Sequence, residues 1–229
     1  MHFDTQAIHT SRSVDPSTGA VSIPLHTSTT FERSADGSFP AGYEYIRDSN
    51  PTRFAFEQAM AVLEGGGKGI AFASGMAAIT AVLEAHPSKG RVVLPDDMYF
   101  GIRSLIRETD IGRRFEFVPI DMRDLDRVRT AVRDKPTGLV WIETPSNPMI
   151  RVVDIAAICQ IAHEAGALAV VDNTWATPAL QRPLDLGADA VVHSATKYIG
   201  GHSDMMAGIV VVPAASPLAR PLQMIQKHK

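Results

Sequence analysis

The chain has 229 residues, of which 45% are hydrophobic and 21% charged, a composition typical of a globular protein with one large α/β domain or two small ones. Its 22 basic and 25 acidic side chains give a formal net charge of −3, which argues against a dedicated nucleic-acid binder and a polybasic membrane-surface protein. A lone cysteine, Cys159, excludes an intrachain disulfide. Residues 70–83 are too few to span a bilayer and no signal peptide is visible, so we expect a cytoplasmic protein without membrane or nucleic-acid partners.

Residues 1–53 differ from the rest of the chain, because they are rich in Ser, Thr, Gly and Pro and show no helical period. They predict an irregular N-terminal arm, which either contacts a neighbouring subunit or covers its own domain. From residue 54 onward, short apolar runs alternate with amphipathic stretches. The predicted strands are 69–73, 91–94, 115–119, 138–143, 167–172, 189–193 and 207–212, and the predicted helices are 75–86, 99–108, 125–133 and 154–164. Apolar strands separated by helices predict a mainly parallel sheet covered on both faces, an α/β domain at 54–229.

Polar or glycine residues follow five of the predicted strands, at positions 74–76, 96–97, 143–144, 172–173 and 194–197. Loops are polar in any protein, which explains part of this pattern. Open α/β sheets, however, bind ligands beyond the carboxyl ends of their strands. A lysine, two carboxylates and a glycine turn arriving at one rim therefore predict a ligand site there.

Lys197 is the first candidate for chemistry at this rim. A lysine considered alone is usually a solvated surface charge. This one follows an apolar strand, and the hydroxyl residues Ser194 and Thr196 precede it. A partly desolvated lysine becomes a nucleophile for aldehydes and can form a Schiff base, and hydroxyls suit phosphate oxygens. The combination suggests pyridoxal 5′-phosphate (PLP), which carries an aldehyde and a phosphate on one ring.

Asp172 closes a predicted strand 25 residues before Lys197. Its local sequence fits a turn or helix N-cap equally well. In the functional interpretation, a buried carboxylate pairs with a protonated ring nitrogen and keeps the PLP ring an electron sink. The turn Ser74-Gly75-Met76 suits phosphate binding at a helix N-terminus but also fits a plain tight turn.

Other kinds of site find little support. Residues 65–69 are glycine-rich, but Gly69 stands where a phosphate loop needs Ser or Thr. No zinc-protease helix, nucleophile elbow or dinucleotide-binding turn is present. His193, His202 and Asp204 could meet at a metal, but we interpret them as satisfying local backbone groups and predict no metal site.

Five motifs occur in one order along the chain. They are Tyr-Glu-Tyr-Ile-Arg at 43–47 with Asn-Pro-Thr-Arg at 50–53, Ala-Ser-Gly-Met-Ala-Ala at 73–78, Glu-Thr-Pro-Ser-Asn-Pro at 143–148, Val-Asp-Asn-Thr at 171–174, and Ser-Ala-Thr-Lys-Tyr-Ile-Gly-Gly-His-Ser-Asp at 194–204. Together they resemble the PLP-dependent transsulfuration enzymes of cysteine and methionine metabolism, especially cystathionine γ-synthase and cystathionine γ-lyase. The resemblance runs from about residue 9 to 212. It implies the large domain of the aspartate aminotransferase-like fold, fold type I, a three-layer αβα domain.

The resemblance also implies roles for matching residues. Lys197 would hold PLP and shuttle protons, Asp172 would pair with the pyridine nitrogen, and Tyr99 would stack on the ring and act in proton transfer. Asn147 would lie near the ring hydroxyl or the substrate carboxylate, with Glu143 behind it. The implied phosphate-binding residues are Gly75, Met76, Ser194 and Thr196, and Thr174 completes the expected cofactor site. Tyr45 and Arg47 would reach the phosphate of a neighbouring subunit, which implies a homo-oligomer, a dimer or a tetramer, with shared active sites.

Two departures from the family pattern matter. Relatives often carry Gly-Gly-Thr after the tyrosine, whereas Phe100-Gly101-Ile102 stand here, and Gly101 replaces the reactive cysteine of methionine γ-lyases. Family members also continue into a second domain whose arginine binds the substrate α-carboxylate. We therefore expect a chain truncated at its C-terminus relative to the family, without the substrate domain, and an exposed apolar patch near residues 209–225.

The implied function is β- or γ-elimination, or γ-replacement, on cystathionine or an O-activated homoserine. The alternative is a catalytically incomplete PLP-binding or subunit-interaction module of the same family. The sequence does not choose among γ-synthase, γ-lyase and β-lyase.

Overall fold

The computed structural model describes residues 2–86 and 90–229. The α-helices in this part of the chain are α1 (Phe3–His9), α2 (Pro51–Leu63), α3 (Gly75–Ala85), α4 (Phe100–Glu108), α5 (Ile111–Arg114), α6 (Leu125–Asp134), α7 (Ile155–Glu164), α8 (Thr177–Leu180) and α9 (Ala219–His228), with a 3₁₀ turn at Pro183–Leu186. The strands are β1 (Lys68–Phe72), β2 (Arg91–Pro95), β3 (Glu116–Ile120), β4 (Thr137–Glu143), β5 (Leu168–Asp172), β6 (Ala190–His193) and β7 (Gly208–Val212).

The strands form one seven-stranded sheet in the order β1-β7-β6-β5-β4-β2-β3. Strands β6, β5, β4, β2 and β3 pair in parallel, whereas β7 runs antiparallel to both of its neighbours. The predicted, mainly parallel sheet is therefore confirmed, with β7 as the reversed strand.

Alternate residues of each strand serve opposite faces of the sheet. In β4, Leu139 and Trp141 pack with α3, α4, α5 and α9, whereas Val140 and Ile142 pack with α6 and α7. Helix α2 covers the second face over β7, where Met60 meets Ile209. Because both faces are covered, the central strands β5, β6 and β7 are mostly apolar and buried, as a three-layer arrangement requires.

Side-chain caps begin several of the helices. The amide oxygen of Asn50 accepts hydrogen bonds from the backbone N–H groups of Thr52 and Arg53, with Pro51 at the first helical position of α2. The hydroxyl of Ser74 accepts from Ala77 N and starts α3 directly after β1. The caps thus set where each helix leaves the rim of the sheet.

All seven strands lie within one residue of their predicted bounds, but several helices were not predicted. Helix α1 lies inside the arm, where no helical period is visible, and α2 begins three residues before the regular pattern. Between residues 10 and 50 the chain forms turns, and an isolated bridge joins Thr30 to Tyr45. None of the helices in the described ranges has the length and apolar character that crossing a membrane requires.

The exposed apolar patch expected near residues 209–225 is not found. All five residues of β7 are buried, because this strand lies between β1 and β6 and is covered by helices on both faces. Leu218 and Leu222 are also buried against the sheet, and Met224 is the large apolar side chain that remains exposed there. Residues 209–225 therefore pack largely against their own domain.

Candidate active site

A cavity of about 710 Å³ opens at the rim where β4, β5 and β6 end. Nine of the eleven cofactor-binding residues predicted from the sequence line it: Gly75, Met76, Tyr99, Asn147, Asp172, Thr174, Ser194, Thr196 and Lys197. The two arm residues, Tyr45 and Arg47, do not. Instead they lie on the exposed arm, where the Arg47 guanidinium carbon is 5.2 Å from the centre of the Tyr45 ring.

Lys197 lies in the turn that follows β6, and its backbone N–H donates to Ser194 O. The side chain faces the cavity but is exposed, so the partial desolvation expected for this lysine is not provided by the described chain alone. Lys197 is exposed because the cavity opens at the rim of the sheet and the turn that follows β6 lies at the edge of this opening.

Asp172 closes β5 and faces the same cavity. Its carboxylate accepts a hydrogen bond from Thr174 N at 3.0 Å, and the Thr174 hydroxyl in turn accepts from Ser194 N at 2.9 Å. Burial raises the pKa of Asp172, while the bonds from Thr174 and the nearby His193 lower it. A desolvated carboxylate of this kind favours a cationic partner in the cavity.

Helix α3 begins beside the same cavity, which Gly75 and Met76 line. A Cβ atom on Gly75 would lie 2.7 Å from Ser194 Cβ and 2.8 Å from Ser194 Oγ, so only glycine allows this close approach. The contact leaves the free N–H groups of the first turn of α3 next to the Ser194 hydroxyl. A helix N-terminus with a neighbouring hydroxyl suits a phosphate group.

Glu143 closes β4 and is buried. One carboxylate oxygen accepts from Tyr99 N at 2.8 Å and the other accepts from Asn147 N at 2.7 Å. Two residues predicted to contact the cofactor are therefore held by a single carboxylate that also borders the cavity. Sequence reasoning placed Glu143 behind these residues, but the pairing of its two oxygens had no sequence signal.

The charge of Glu143 is affected by its neighbours. Burial and, to a smaller extent, the adjacent Asp172 carboxylate raise its pKa to about 8, although the two N–H donors act in the opposite direction. The strand register explains the proximity, because Glu143 and Asp172 are direct partners in the β4–β5 ladder.

Gly101 explains one departure from the family pattern. A Cβ atom at this position would meet Tyr99 Cε1 and would lie 2.9 Å from Met76 Sδ. The glycine therefore makes room for the Tyr99 ring beside α3. Phe100, which precedes it, is exposed and contacts Tyr99 edge to face with ring centres 5.7 Å apart.

His193, His202 and Asp204 are the residues that the sequence offers as possible metal ligands. His202 Nδ1 lies 3.2 Å from Gly200 O, a local backbone contact as expected. The interpretation of His193 as a partner of local backbone groups is wrong, because its Nε2 contacts the buried carboxylate of Glu64. In residues 2–86 and 90–229, no three His, Cys, Asp or Glu side chains are grouped to hold a metal ion.

Comparison with known proteins places this geometry in a family. Residues 4–229 match the family described as Cys/Met metabolism PLP-dependent enzyme. The chain belongs to this family. PLP is therefore its cofactor, and the three-layer domain is the large domain of fold type I, as predicted.

Individual relatives agree with the family match. The chain is 47% identical over 228 residues to the cystathionine β-lyase of Coxiella burnetii, covering 98% of this chain and 58% of that protein. It is 46% identical over 208 residues to the cystathionine γ-synthase of Mycobacterium bovis, covering 90% and 53%. The structure of metB from Corynebacterium glutamicum superposes with a TM-score of 0.93 at 40% identity, covering 99% of this chain and 59% of that one. The chain thus spans between half and three fifths of these relatives.

The described residues fit PLP, because an amine, a half-buried carboxylate and a helix N-terminus opened by Gly75 share one cavity. The cavity also contains residues that the sequence did not single out. Trp175 and Tyr198 line it with ring centres 6.0 Å apart, and Met205 and Met206 complete its outer edge. Trp175 directly follows Thr174, and its position just beyond the end of a predicted strand is the sequence feature that could have identified it as a lining residue.

The raised pKa of Glu143 predicts a pH-dependent stability. Because the folded-state pKa lies above the ordinary value of 4.5, the stabilisation from protonated Glu143 is complete below pH 4.5 and is lost as the pH rises to about 8. We expect the difference in unfolding free energy between the wild-type chain and Glu143→Gln to fall by several kcal/mol between pH 5 and pH 9. Urea unfolding without added PLP measures it.

The matched control is Glu164→Gln, because Glu164 is a half-exposed residue on the surface. Its difference from wild type is expected to stay flat over the same pH range. A flat difference for Glu143→Gln as well would contradict the raised pKa.

Proposed function

We propose that this chain holds PLP at Lys197 and serves β- or γ-elimination, or γ-replacement, on sulfur amino acids such as cystathionine or an O-activated homoserine. One observation carries the proposal: a single cavity brings together Lys197, Asp172 and the N-terminus of α3. The names of the relatives, cystathionine β-lyase and cystathionine γ-synthase, support the substrate class. A cytoplasmic location is part of the same proposal.

When bound, PLP supplies a ring that accepts electron density from the α-carbon of the substrate. The Asp172 carboxylate is the group that would hold positive charge at the ring nitrogen. The Nζ of Lys197 is the base that would take the substrate α-proton and deliver it to another carbon. Tyr99, held by Glu143 through its backbone N–H, would stack on the ring and assist proton transfer.

The phosphate would bind at the start of α3. The N–H groups of Gly75 and Met76 are in the first turn of that helix, and Ser194 Oγ lies beside them. The hydroxyl of Thr196 already bonds to the backbone of Ala207 and would have to leave that contact to reach a phosphate oxygen. Ser194 is therefore the stronger candidate of the two hydroxyl residues.

The charge of the cavity supports a site shared between two copies of the chain. In the described part of the chain, Lys197 is the one Lys or Arg among the lining residues, whereas Glu143 and Asp172 are both acidic. A phosphate and a substrate carboxylate would add further negative charge. We propose that a second copy of the chain supplies Arg47 and Tyr45 from its arm, in a dimer or a dimer of dimers.

A second candidate function rests on the same shortage of basic side chains in the cavity. No arginine lines the cavity in the described chain, so no guanidinium there can bind a substrate α-carboxylate through a bidentate pair of hydrogen bonds. A chain that binds PLP but does not orient substrate would be an incomplete, PLP-binding or subunit-interaction module.

The first experiment tests cofactor attachment. We expect PLP added to the purified chain to give a visible absorption band, and Lys197→Ala to lose the band and to bind PLP at least about 100-fold more weakly, because the covalent link is gone. Lys135→Ala, which removes a surface lysine paired with Glu116, is the control and should behave as wild type. An undiminished band in Lys197→Ala would refute the proposal.

Substrate addition then separates the two candidate functions. Cystathionine and O-succinylhomoserine are added to the PLP-bound chain, and keto acid and thiol products are measured. Product formation supports the enzyme. A normal absorption band without product supports the incomplete module.

A mixing experiment tests the shared site. Arg47→Ala and Lys197→Ala are each expected to bind PLP poorly, while their mixture regains one intact site per mixed dimer. The PLP-binding capacity of the mixture should approach about a quarter of the wild-type sites if the copies pair at random. Arg33→Ala is the matched control, because Arg33 pairs with Glu44 within the same arm and should bind as wild type. Failure of the mixture to recover binding would exclude this sharing.

Gly75→Ala tests the phosphate end. The new Cβ would collide with Ser194 and move the first turn of α3 away from it. We expect PLP affinity to fall about tenfold or more, a loss of about 1.4 kcal/mol. Pyridoxal, which has no phosphate, serves as the control ligand and should lose little affinity. An equal loss for both ligands would contradict a phosphate site at Gly75.

A further inference from the structure

A buried polar cluster lies beneath the candidate site and has no part in the chemistry proposed above. It consists of Glu64, His193, Asn173 and Gln181, which we call the support cluster. Oε1 of Glu64 contacts His193 Nε2 and accepts a hydrogen bond from Asn173 Nδ2 at 2.9 Å. Glu64, Asn173 and His193 have no exposed surface. One carboxylate oxygen therefore joins the ends of β5 and β6.

The support cluster is on the opposite face of the sheet from the cavity. Asp172 pairs with Val192, whose side chain packs in the core beneath α3 and α9. His193 pairs with Ile209, whose side chain packs under α2. Because successive residues of a strand alternate between faces, His193 and Asp172 point to different sides. Glu64, at the C-terminal end of α2, reaches the sheet from its own side.

Two members of the support cluster are chain neighbours of residues predicted to bind the cofactor. Asn173 follows Asp172 directly, and His193 directly precedes Ser194. The backbone carries the connection further, because Asn173 N donates to Val192 O at 2.9 Å. Glu64 thus holds the residues next to the two side chains proposed for opposite ends of PLP, the ring nitrogen and the phosphate.

Gln181 ties the cluster to a third strand end. Its Nε2 donates to Asn173 Oδ1 and to Thr144 O, both at 2.7 Å. Thr144 directly follows Glu143, the carboxylate that holds Tyr99 and Asn147. The support cluster therefore connects the ends of β4, β5 and β6, which carry most of the candidate site.

Filling this space with polar side chains costs free energy. Glu64 Oε2 and His193 Nδ1 are buried and have no hydrogen-bond partner in the described chain. Unpaired buried polar atoms are costly, and apolar side chains of similar volume often fill such positions at equal or lower free energy. The contribution of the cluster is therefore to position the strand ends, because its hydrogen bonds fix their orientation and apolar contacts would not.

We propose that Glu64 and His193 are positioning residues for the PLP site, which fix Asp172 and Ser194 at the separation that the cofactor needs. The inference rests on the proposed function. His193 also lies close enough to Asp172 to favour its ionised form, which agrees with this role.

The test compares PLP binding in Glu64→Leu and Glu64→Gln with a matched pair in the same helix, Glu57→Leu and Glu57→Gln. Glu57 is a suitable control because one of its carboxylate oxygens likewise has two hydrogen-bond donors, Ala71 N and Gln226 Nε2. For each variant, the dissociation constant of PLP, the induced circular dichroism of the visible band and the unfolding free energy are measured on the full chain.

We expect folded Glu64→Leu to bind PLP at least about tenfold more weakly, with a reduced induced circular dichroism, because the two anchor points are no longer fixed. Glu64→Gln keeps an acceptor oxygen and should recover affinity to within about threefold. Glu57→Leu should lose stability but keep the wild-type affinity and spectrum. Asn173→Ala, which removes one bond to Glu64, should show a smaller loss and replaces Glu64→Leu if that variant does not fold.

Three outcomes would overturn the inference. Wild-type affinity and spectrum in folded Glu64→Leu, or in Asn173→Ala where Glu64→Leu does not fold, would overturn it while leaving the proposed function intact. Loss of binding in Glu57→Leu equal to that in Glu64→Leu would also overturn it, because the effect would then follow stability. Absence of the visible band in the wild-type chain would overturn the proposed function and this inference together.

Discussion

The pairing of Glu143 with Asp172 in the β4–β5 ladder is the constraint on which the candidate site depends. Direct partners in adjacent strands lie about 5 Å apart, so the register places two carboxyl groups side by side at a buried edge. Two neighbouring carboxylates cannot both be ionised there without cost, unless cations or hydrogen-bond donors compensate. In this chain, the two carboxyl groups have different surroundings.

Glu143 obtains its partners from the protein, and Asp172 leaves room for a partner from outside. Each oxygen of Glu143 accepts a hydrogen bond from one backbone N–H, which turns Glu143 into a support for Tyr99 and Asn147. Asp172 accepts from Thr174 and otherwise faces the cavity. A cofactor with a protonated ring nitrogen would give Asp172 a cationic partner and so reduce the repulsion between the two carboxyl groups. The environment thus gives two similar acids two different tasks.

The sheet and its rim could be predicted from the sequence, whereas the supports beneath them could not. Apolar runs of four to seven residues are a local signal, and the polar residues after each run mark the ligand edge of a parallel sheet. Helix α1 has no buried residue, and hence no amphipathic pattern to detect. Glu64 and His193 meet across 129 positions of sequence, and neither lies in a pattern that names the other. Such contacts exist only after the sheet has formed.

The two faces of the sheet therefore have different duties at the same strand ends. The face toward α3 presents groups to the cavity, and the face toward α2 holds those groups from behind. A strand makes this division unavoidable, because adjacent residues point in opposite directions and a ligand-facing residue always has neighbours that face away. An apolar neighbour would hold the strand end only through packing. A hydrogen-bonded neighbour fixes direction as well as distance, and direction would matter most if, as proposed, an aspartate meets one ring nitrogen and a serine one phosphate.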